Sequence, residues 1–250
     1  MNITSKSIIG NIVGLNYKTA EIFKKYALDF CCGGQQSIEE ACTSNGLSMA
    51  TIEAIVQELI NCLEENKEKQ NRTYGSWPLD KLTDHIEVIH HSYVEAKIPI
   101  IKAHLNKIEE VHGNDHPELV EINSIFTDAA GQLAMHMKKE ELILFPYIRK
   151  LAKAKREFSK LVKPHFGTIK NPIQQMEEEH NFEGEAFKKI GLLSHNYVVP
   201  KDGCTTYSVT FGLLKEFEED LNLHIHKENN ILFPRAIALE EEIQTTNHTS

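Results

Sequence analysis

Two pairs of a histidine and a glutamate at helical spacing are the residues of this chain best suited to chemistry. His136 precedes Glu140 by four positions, His224 precedes Glu228 by the same interval, and both segments end in Leu-Phe-Pro. Residues four apart on an α-helix lie one turn above each other on the same face. If these faces meet in an apolar interior, a cation is the simplest partner for the carboxylates, because an ionised glutamate is very costly to bury alone.

Histidines in two other helical patterns supply further candidate ligands. His180 follows the acidic run 177–179, and His90 and His91 lie together in an earlier segment. Adjacent residues point about 100° apart on a helix, so we expect one histidine of this pair to face inward. Periodicity does not choose between them, because they flank the apolar stripe on either side. This predicted stripe consists of Ile86, Ile89, Val94 and Ile98.

One histidine from each of four helices and two glutamates form a ligand set for a pair of metal ions rather than a single ion. Imidazole and carboxylate donors without thiolate suit iron, manganese or zinc, and vacant positions favour redox-active iron. The competing interpretation is that a single His-x-x-x-Glu pair is a surface pair. The second copy, together with histidines on the other helices, argues against it. We expect the remaining histidines, His226 among them, to be surface, capping or titratable residues outside the site.

Composition and charge restrict the class of protein. The chain has 250 residues, a net charge of -9 and five cysteines without a Cys-x-x-Cys spacing. This negative charge argues against a nucleic-acid partner, and no apolar run approaches the roughly 18 residues of a membrane span. An odd number of cysteines is a poor disulfide framework and fits a reducing compartment. We therefore expect a cytoplasmic protein.

The elements that must position these residues are predicted to be helices throughout. Residues 1–65 form a small helical N-terminal domain, in which Ser37 and Glu40 have the spacing of a capping box. Residues 66–78 form a polar linker, and residues 79–250 contain four long helices. Such helices with short to moderate connections are typical of an antiparallel four-helix bundle, so the predicted fold is all-α. Each Leu-Phe-Pro is expected to kink or stop its helix, because proline lacks a backbone N–H.

Three motifs resemble those of the Repair of Iron Centres family, the di-iron hemerythrin-like stress proteins of bacteria. They are the segment 26–34 with its Cys-Cys-Gly-Gly, the two His-x-x-x-Glu repeats, and Met-Glu-Glu-Glu-His at 176–180. The resemblance covers nearly the whole chain. It implies a hemerythrin-like bundle that holds a pair of iron ions per chain, joined by an oxo or hydroxo bridge.

The resemblance also assigns roles to individual residues. It selects His91 over His90 in the first helix of the bundle. The metal ligands that it implies are His91, His136, His180 and His224, with Glu140 and Glu228 as bridging carboxylates. Oxygen-carrying hemerythrins have a further histidine four residues after the one in the third helix, and here that position is Gly184. The lower histidine count indicates a more open site, suited to reaction or to metal release.

Three more residues are candidates for supporting roles. Glu179, beside His180, is a candidate for lining an access channel, and a solvated charge run is the competing interpretation. The adjacent thiols Cys31 and Cys32 are candidates for a redox or relay role. Alternatively, they pack against the first short helix, with Gly33 and Gly34 forming the turn.

The function that the resemblance implies is the repair of iron–sulfur clusters damaged by nitrosative or oxidative stress, by supply of iron. The alternatives are a nitric oxide reductase acting at the di-iron centre and a hemerythrin-like sensor of oxygen or iron. The expected partners are damaged iron–sulfur proteins and small ligands such as nitric oxide, oxygen or peroxide, with no nucleic acid and no membrane. Whether the protein is an enzyme stays open, as does its oligomeric state, with a homodimer as one option.

Overall fold

The structure, a computed structural model, describes residues 3–65 and 74–248 and is largely helical. The helices of its N-terminal part are α1 (Ile9–Leu15), α2 (Ala20–Lys25), α3 (Ile38–Ser44) and α4 (Met49–Glu65). The helices that follow are α5 (Leu79–Ile86), α6 (Ser92–His112), α7 (Glu118–Lys139), α8 (Phe145–Glu157), α9 (Lys170–Leu193), α10 (Thr205–Lys227) and α11 (Phe233–His248). Most of the predicted linker, residues 66–73, lies outside the described residues.

Three π-helical segments join consecutive helices in the described part of the chain. Glu87–His91 joins α5 to α6, Glu140–Leu144 joins α7 to α8, and Glu228–Leu232 joins α10 to α11. A π turn is wider than an α turn and is found mostly as a single bulge within a helix, often at a functional site. Each of these segments begins or ends with a predicted ligand or bridging residue.

The Leu-Phe-Pro triplets do not stop their helices, so of the two predicted outcomes, a kink or a stop, the stop is wrong. The first π segment of the repeat ends at Leu144 and α8 begins at Phe145, and the second ends at Leu232 before α11 begins at Phe233. Proline lacks the N–H that would donate to the carbonyl four residues earlier. The π turn directly before the proline already replaces this bonding pattern, so the chain continues as a helix. The predicted kink stays a prediction.

The chain divides into two compact units. Unit 1 consists of Met1–Leu82, Leu151–Leu161 and Ile225–Ser250, and unit 2 consists of Thr83–Lys150 and Val162–His224. Within unit 2, α6 packs against α7 and α7 packs against α9. The all-α prediction of a helical bundle with a small helical N-terminal domain is confirmed. The predicted domain boundaries stay predictions.

Aromatic side chains form the centre of the core of unit 2. Phe126 of α7, Phe187 of α9 and Phe217 of α10 are all buried, with ring centroids 5.6–6.3 Å apart. Burying a phenylalanine contributes about 1.5–3 kcal/mol relative to leaving it exposed. This cluster therefore holds three helices in a fixed register. Among the described residues, we find no helix with the length and apolarity that crossing a membrane requires.

The capping box predicted from the sequence is present at the start of α3. Ser37 Oγ accepts a hydrogen bond from the Glu40 backbone N–H at 3.2 Å, and Glu40 Oε2 accepts one from the Ser37 backbone N–H at 2.8 Å. Caps of this kind typically stabilise a helix by about 1 kcal/mol. The prediction is confirmed, and the cap fixes where the chain leaves the Cys-Cys-Gly-Gly segment.

Position 34 of this segment requires glycine, because the Asn230 side chain lies very close to the backbone there within unit 1. The Asn230 side-chain amide donates to the carbonyl oxygens of Phe30 at 3.2 Å and Cys31 at 3.1 Å. A Cβ at Gly34 would lie 2.5 Å from Asn230 Oδ1 and 2.6 Å from the Phe30 carbonyl oxygen, and one at Gly10 would lie 2.4 Å from Asn230 Oδ1. Larger residues would displace Asn230 and the backbone that it holds.

Candidate metal centre

Two groups of buried side chains in unit 2 share one carboxylate. The ligand atoms of His91, Glu140 and His224 lie within 4.8 Å of one another, and so do those of His136, Glu140 and His180. All five side chains are buried. Glu140 Oε2 lies 3.3 Å from His91 Nε2 and 3.4 Å from His136 Nε2. One carboxylate oxygen therefore faces imidazoles of both groups, as expected of a bridging ligand.

The helix geometry explains how these side chains come to face one another. His136 lies in the last turn of α7, and Glu140 opens the π segment that follows, so the two point the same way one turn apart. His91 is the last residue of the π segment Glu87–His91. His180 and His224 come from α9 and α10. The structure thus brings together one imidazole from each of four helical segments.

The donor set fits a metal site. Imidazole nitrogen and carboxylate oxygen without thiolate suit iron, manganese or zinc. His136 Nε2 and His180 Nε2 lie 3.0 Å apart. Two imidazole nitrogens bound to one ion at about 2.0–2.1 Å would be about 3.0–3.4 Å apart, so this spacing needs little adjustment. A buried carboxylate surrounded by imidazoles is also the type of environment in which a cation is favourable.

Two further carboxylates fix the orientation of the candidate ligands. Glu141 Oε1 lies 2.9 Å from His91 Nδ1, and Glu179 Oε2 lies 2.9 Å from His136 Nδ1. A metal-binding histidine usually donates its second ring N–H to such a partner, which selects the tautomer and makes the ligating nitrogen more basic. In both histidines this leaves Nε2 directed at the centre. Sequence reasoning missed Glu141, although it directly follows Glu140.

We expect Glu141→Gln and Glu179→Gln each to weaken metal binding about 10–100-fold without abolishing it. The amide oxygen can still accept the imidazole N–H, but it lacks the charge that makes the ligand basic. Competition with a chromogenic chelator would measure the affinity. Glu178→Gln is the matched control, because Glu178 is exposed in the same acidic run and accepts from Gln174. Affinities equal to that of the control would contradict the assigned role.

The charges around the centre shift pKa values in opposing directions. Burial by itself lowers the pKa of His136, but the carboxylates of Glu140, Glu179 and Glu183 outweigh it and raise this pKa well above its ordinary value. The hydrogen bond from His136, with a smaller contribution from Lys139, lowers the pKa of Glu179 to about 2. Without metal, His136 therefore holds a proton that a cation must displace, so metal binding releases a proton.

His90 and His91 are both buried, which corrects the expectation that only one of them faces inward. They lie in the π segment, where the α-helical angle between neighbours does not apply. His90 Nδ1 pairs with Asp220 Oδ1 at 2.9 Å, and its ring stacks on that of His224 at 5.3 Å. The apolar stripe was also partly wrong, since Ile89 is 48% exposed. His90 thus packs beside the centre and belongs to neither ligand group.

Glu183 is a buried carboxylate that sequence reasoning missed. It lies three residues after His180 on α9 and is 1% exposed. The next residue, Gly184, is the position at which the family resemblance placed the further histidine of oxygen carriers. The sequence signal that could have identified Glu183 was its position three residues after His180, which places both side chains on the same helix face. Glu183 adds negative charge near His136, as its effect on the pKa of that histidine shows.

Glu228 is the one predicted ligand that lies in unit 1. It opens the π segment Glu228–Leu232 and is completely buried. It follows His224 by four residues, just as Glu140 follows His136 and opens a π segment. Its role as the second bridging carboxylate stays a prediction.

Cys31 and Cys32 form a group with Asp29 in unit 1. Their ligand atoms lie within 4.8 Å of one another, and the two sulfur atoms are 3.9 Å apart. The hydrogen bond with Cys32, together with burial, raises the pKa of the Cys31 thiol well above its ordinary value. Cys31 is therefore a thiol rather than a reactive thiolate at neutral pH. The relay role predicted for the pair stays a prediction.

His226 corrects the expectation for histidines outside the site, because it is buried in unit 1. Its ring packs against Tyr17 and Phe30, with centroids 6.2 Å from each. Its Nδ1 lies 3.1 Å from Asn230 Nδ2. Burial lowers the pKa of His226 to about 4, so the imidazole is neutral and acts as a packing and hydrogen-bonding residue.

Cys204 is an exposed thiol in unit 2 with a lowered pKa. It directly precedes α10, and its Sγ lies 3.2 Å from His112 Nε2. The His112 hydrogen bond, with smaller contributions from the backbone N–H groups of Tyr207 and Thr206, lowers the pKa of Cys204 to about 7. A helix N-terminus and a neighbouring histidine both favour the thiolate.

We expect the alkylation rate of Cys204 by iodoacetamide to be half-maximal near pH 7, because the thiolate is the reactive form. Peptide-level mass spectrometry across a pH series would measure it. His112→Ala should move the midpoint upward, toward the value of about 8.5 for an ordinary cysteine. A midpoint near 8.5 in the unmodified protein would show that the contact with His112 does not activate the thiol.

The fold and the histidine–glutamate groups define a class of protein: a helical bundle with a hemerythrin-type cation site. Residues 82–236 match the family model described as the hemerythrin HHE cation-binding domain, and residues 5–60 match ScdA_N, a domain of unknown function. Relatives named iron-sulfur cluster repair protein YtfE, from Citrobacter koseri and Escherichia coli O81, are 34% and 35% identical over 225 residues. These alignments cover 89% of this chain and 93% of each relative. The chain belongs to the Repair of Iron Centres family.

Proposed function

We propose that this protein repairs iron–sulfur clusters damaged by nitrosative or oxidative stress, and that it supplies iron from a di-iron centre in the bundle. The observation that carries the proposal is the similarity over 93% of the length of relatives named as iron–sulfur cluster repair proteins. A helical bundle alone supports many unrelated functions. The alignment with these relatives covers 89% of this chain, so the similarity extends beyond the bundle.

In the proposed centre, His91 and His224 hold one ion and His136 and His180 hold the other. Glu140 bridges them, which its position in both ligand groups supports. Glu228 is proposed as the second bridge, because it repeats the spacing of Glu140 and is buried. When bound, a pair of iron ions supplies exchangeable ferrous iron and one-electron chemistry.

The surrounding residues hold and shield these ligands. Glu141 and Glu179 keep the Nδ1 atoms of His91 and His136 occupied, so that Nε2 points inward. The ring of Phe145 stacks on His91, with centroids 5.7 Å apart, and excludes water from that side. We propose that Glu179 also marks an access channel, because its side chain is 25% exposed while it contacts the buried His136.

A protein that supplies iron must hold metal that can be exchanged. The proposed ligands are neutral imidazoles and carboxylates, which bind iron less tightly than thiolates bind soft metals. Gly184 stands where an oxygen carrier has a further histidine, so the ligand set has one imidazole fewer. Metal release from such a site needs protonation of ligands such as His136, whose pKa is already raised by the neighbouring carboxylates.

Nitric oxide reduction is a second candidate function, and the sharing of Glu140 favours it. The two ligand groups lie side by side around this carboxylate, so ions held there would be neighbours. Coupling two nitric oxide molecules requires neighbouring binding positions, two electrons and two protons, and gives nitrous oxide and water. Cluster protection would then follow from removal of nitric oxide.

An assay of cluster repair in a client enzyme distinguishes the two candidate functions. The protein, loaded with isotopically labelled iron, is mixed anaerobically with a [4Fe–4S] dehydratase whose cluster has been damaged by nitric oxide. Iron supply predicts recovery of dehydratase activity and transfer of label to the client. Recovery without label, or equal recovery with Glu140→Ala protein, would contradict iron supply. Nitrous oxide measured by gas chromatography reports the second function in the same samples.

We propose cytoplasmic proteins with damaged clusters as the macromolecular partners, and nitric oxide, oxygen or peroxide as small ligands. The five cysteines support a reducing compartment, because their number is odd and they have no Cys-x-x-Cys spacing. Sedimentation velocity would show whether the protein is a homodimer.

A further inference from the structure

A compact group of two thiols and one carboxylate lies in the Cys-Cys-Gly-Gly segment of unit 1. Cys31 Sγ lies 3.9 Å from Cys32 Sγ and 3.3 Å from Asp29 Oδ1. The backbone N–H groups of Cys31 and Cys32 both donate to Asp29 Oδ1, at 2.9 and 3.0 Å. These three residues therefore place their ligand atoms around one point, all within 4.8 Å of one another.

The spacing of these atoms matches the edges of a metal tetrahedron. For bonds of about 2.3 Å to sulfur and about 2.0–2.2 Å to carboxylate oxygen, two sulfurs are about 3.8 Å apart and a sulfur and an oxygen about 3.5 Å apart. The observed distances are 3.9 and 3.3 Å. A disulfide would require the sulfurs to approach to about 2.05 Å. Without an ion these distances are those of thiol hydrogen bonds, and they would also accommodate a shared ion without a large rearrangement.

We propose that Asp29, Cys31 and Cys32 form a second metal site, separate from the histidine–glutamate centre, that binds one divalent cation of the zinc and ferrous-iron class. Two thiolates select borderline and soft ions over magnesium or calcium. The carboxylate completes three protein ligands. A fourth tetrahedral position is then open, as in metal sites that exchange ligands rather than in structural sites.

Long-range contacts within unit 1 hold the site in this geometry before a cation arrives. The Asn230 amide donates to the carbonyl oxygens of Phe30 and Cys31, and Phe30 packs on the buried His226. Gly34 permits this approach, because a Cβ there would lie 2.5 Å from Asn230 Oδ1. A ligand set that is already ordered loses less entropy when it binds.

The exposure of the three residues suits a site that receives and releases its ion. Cys31 is buried, Cys32 is half-buried and Asp29 is exposed, so one side of the group faces solvent. Binding is an exchange of protons for a cation: both thiols lose a proton, both sulfurs bind the ion, and no group is oxidised or reduced. The use of this site to pass iron to a client rests on the proposed function, whereas binding itself does not.

Cobalt(II) is the probe for this site, because cobalt–thiolate bonds give an intense near-ultraviolet charge-transfer band that histidine and carboxylate ligands do not give. The full-length protein, already loaded with its own metal in the bundle, is reduced and titrated anaerobically with cobalt(II). The background carries Cys62→Ser and Cys204→Ser, so that other accessible thiols do not contribute. We expect a thiolate band that saturates at about one cobalt per chain, with release of protons to a weak buffer.

Matched variants decide the assignment. Cys31→Ser and Cys32→Ser should each remove most of the band, while Asp29→Asn should keep it but weaken cobalt binding at least about tenfold, since the amide can still accept the two backbone N–H groups. Zinc(II) and ferrous iron should compete with cobalt. Circular dichroism checks that each variant is folded. The proposal would be overturned if the folded background protein gave no thiolate band, or if the band persisted in folded Cys31→Ser protein. Oxidation of the pair to a disulfide in place of cobalt binding would also overturn it. These outcomes are independent of the repair assay.

Discussion

Glu140→Ala is expected to remove metal from both halves of the centre, although it changes one side chain. The carboxylate belongs to both ligand groups, and its Oε2 atom lies 3.3 Å from His91 Nε2 and 3.4 Å from His136 Nε2. Loss of a shared ligand weakens the binding of both ions. It also removes the negative charge that offsets the repulsion between two cations lying close together. We expect the metal content to fall from about two ions per chain to near zero.

Variants at two other positions test whether the loss of both ions is specific to Glu140. His180→Ala removes a ligand of one group only, so that protein should keep about one ion per chain. Glu178→Ala, an exposed glutamate on the same helix as His180, should keep both. Plasma emission spectrometry of proteins purified in parallel measures these contents. If Glu140→Ala protein retained as much metal as the Glu178→Ala control, Glu140 would not be a bridging ligand.

Removal of metal by a chelator is expected to lower the thermal midpoint by about 8–16 °C. Counting only one of the two proposed ions, a free concentration of about 1,000 times the dissociation constant stabilises the folded state by about 4 kcal/mol. For a chain of this size, each kcal/mol corresponds to about 2–4 °C. The buried position of the ligand residues supports this expectation, because without the cations their charges lie in an apolar interior with fewer partners.

The response to chelator should depend on Glu140. In Glu140→Gln protein the midpoint should be nearly the same with and without chelator, because little metal is bound in either case. Glu178→Gln protein should respond like the unmodified protein, since Glu178 is exposed. Differential scanning calorimetry with and without chelator measures these shifts. A full response in Glu140→Gln protein would show that the stabilising metal binds elsewhere.

The features that follow from local helix geometry could be predicted from the sequence. His136 and Glu140 are one turn apart, and that spacing alone places both on one face. The capping box of Ser37 and Glu40 is likewise local, and it is present. The helical bundle could be predicted because long amphipathic segments with short connections have few other stable arrangements.

The features that escaped prediction depend on irregular or distant backbone. His90 and His91 are both buried because a π segment replaces the regular helix, and no spacing in the sequence indicates a π turn. The partnership of Glu179 with His136 joins residues 43 positions apart. The contact of Asn230 with Cys31 spans 199 positions. Such pairs form only through tertiary packing, so periodicity carries no signal for them.

The metal content and iron spectrum of the unmodified protein, purified without added metal, test the central claim most directly. We expect about two iron ions per chain, with the Mössbauer and near-ultraviolet signature of a bridged, magnetically coupled pair. This signature should be absent from Glu140→Ala protein. A single uncoupled iron, or zinc that iron does not replace under reducing conditions, would contradict the assignment of a di-iron centre to these histidines and glutamates.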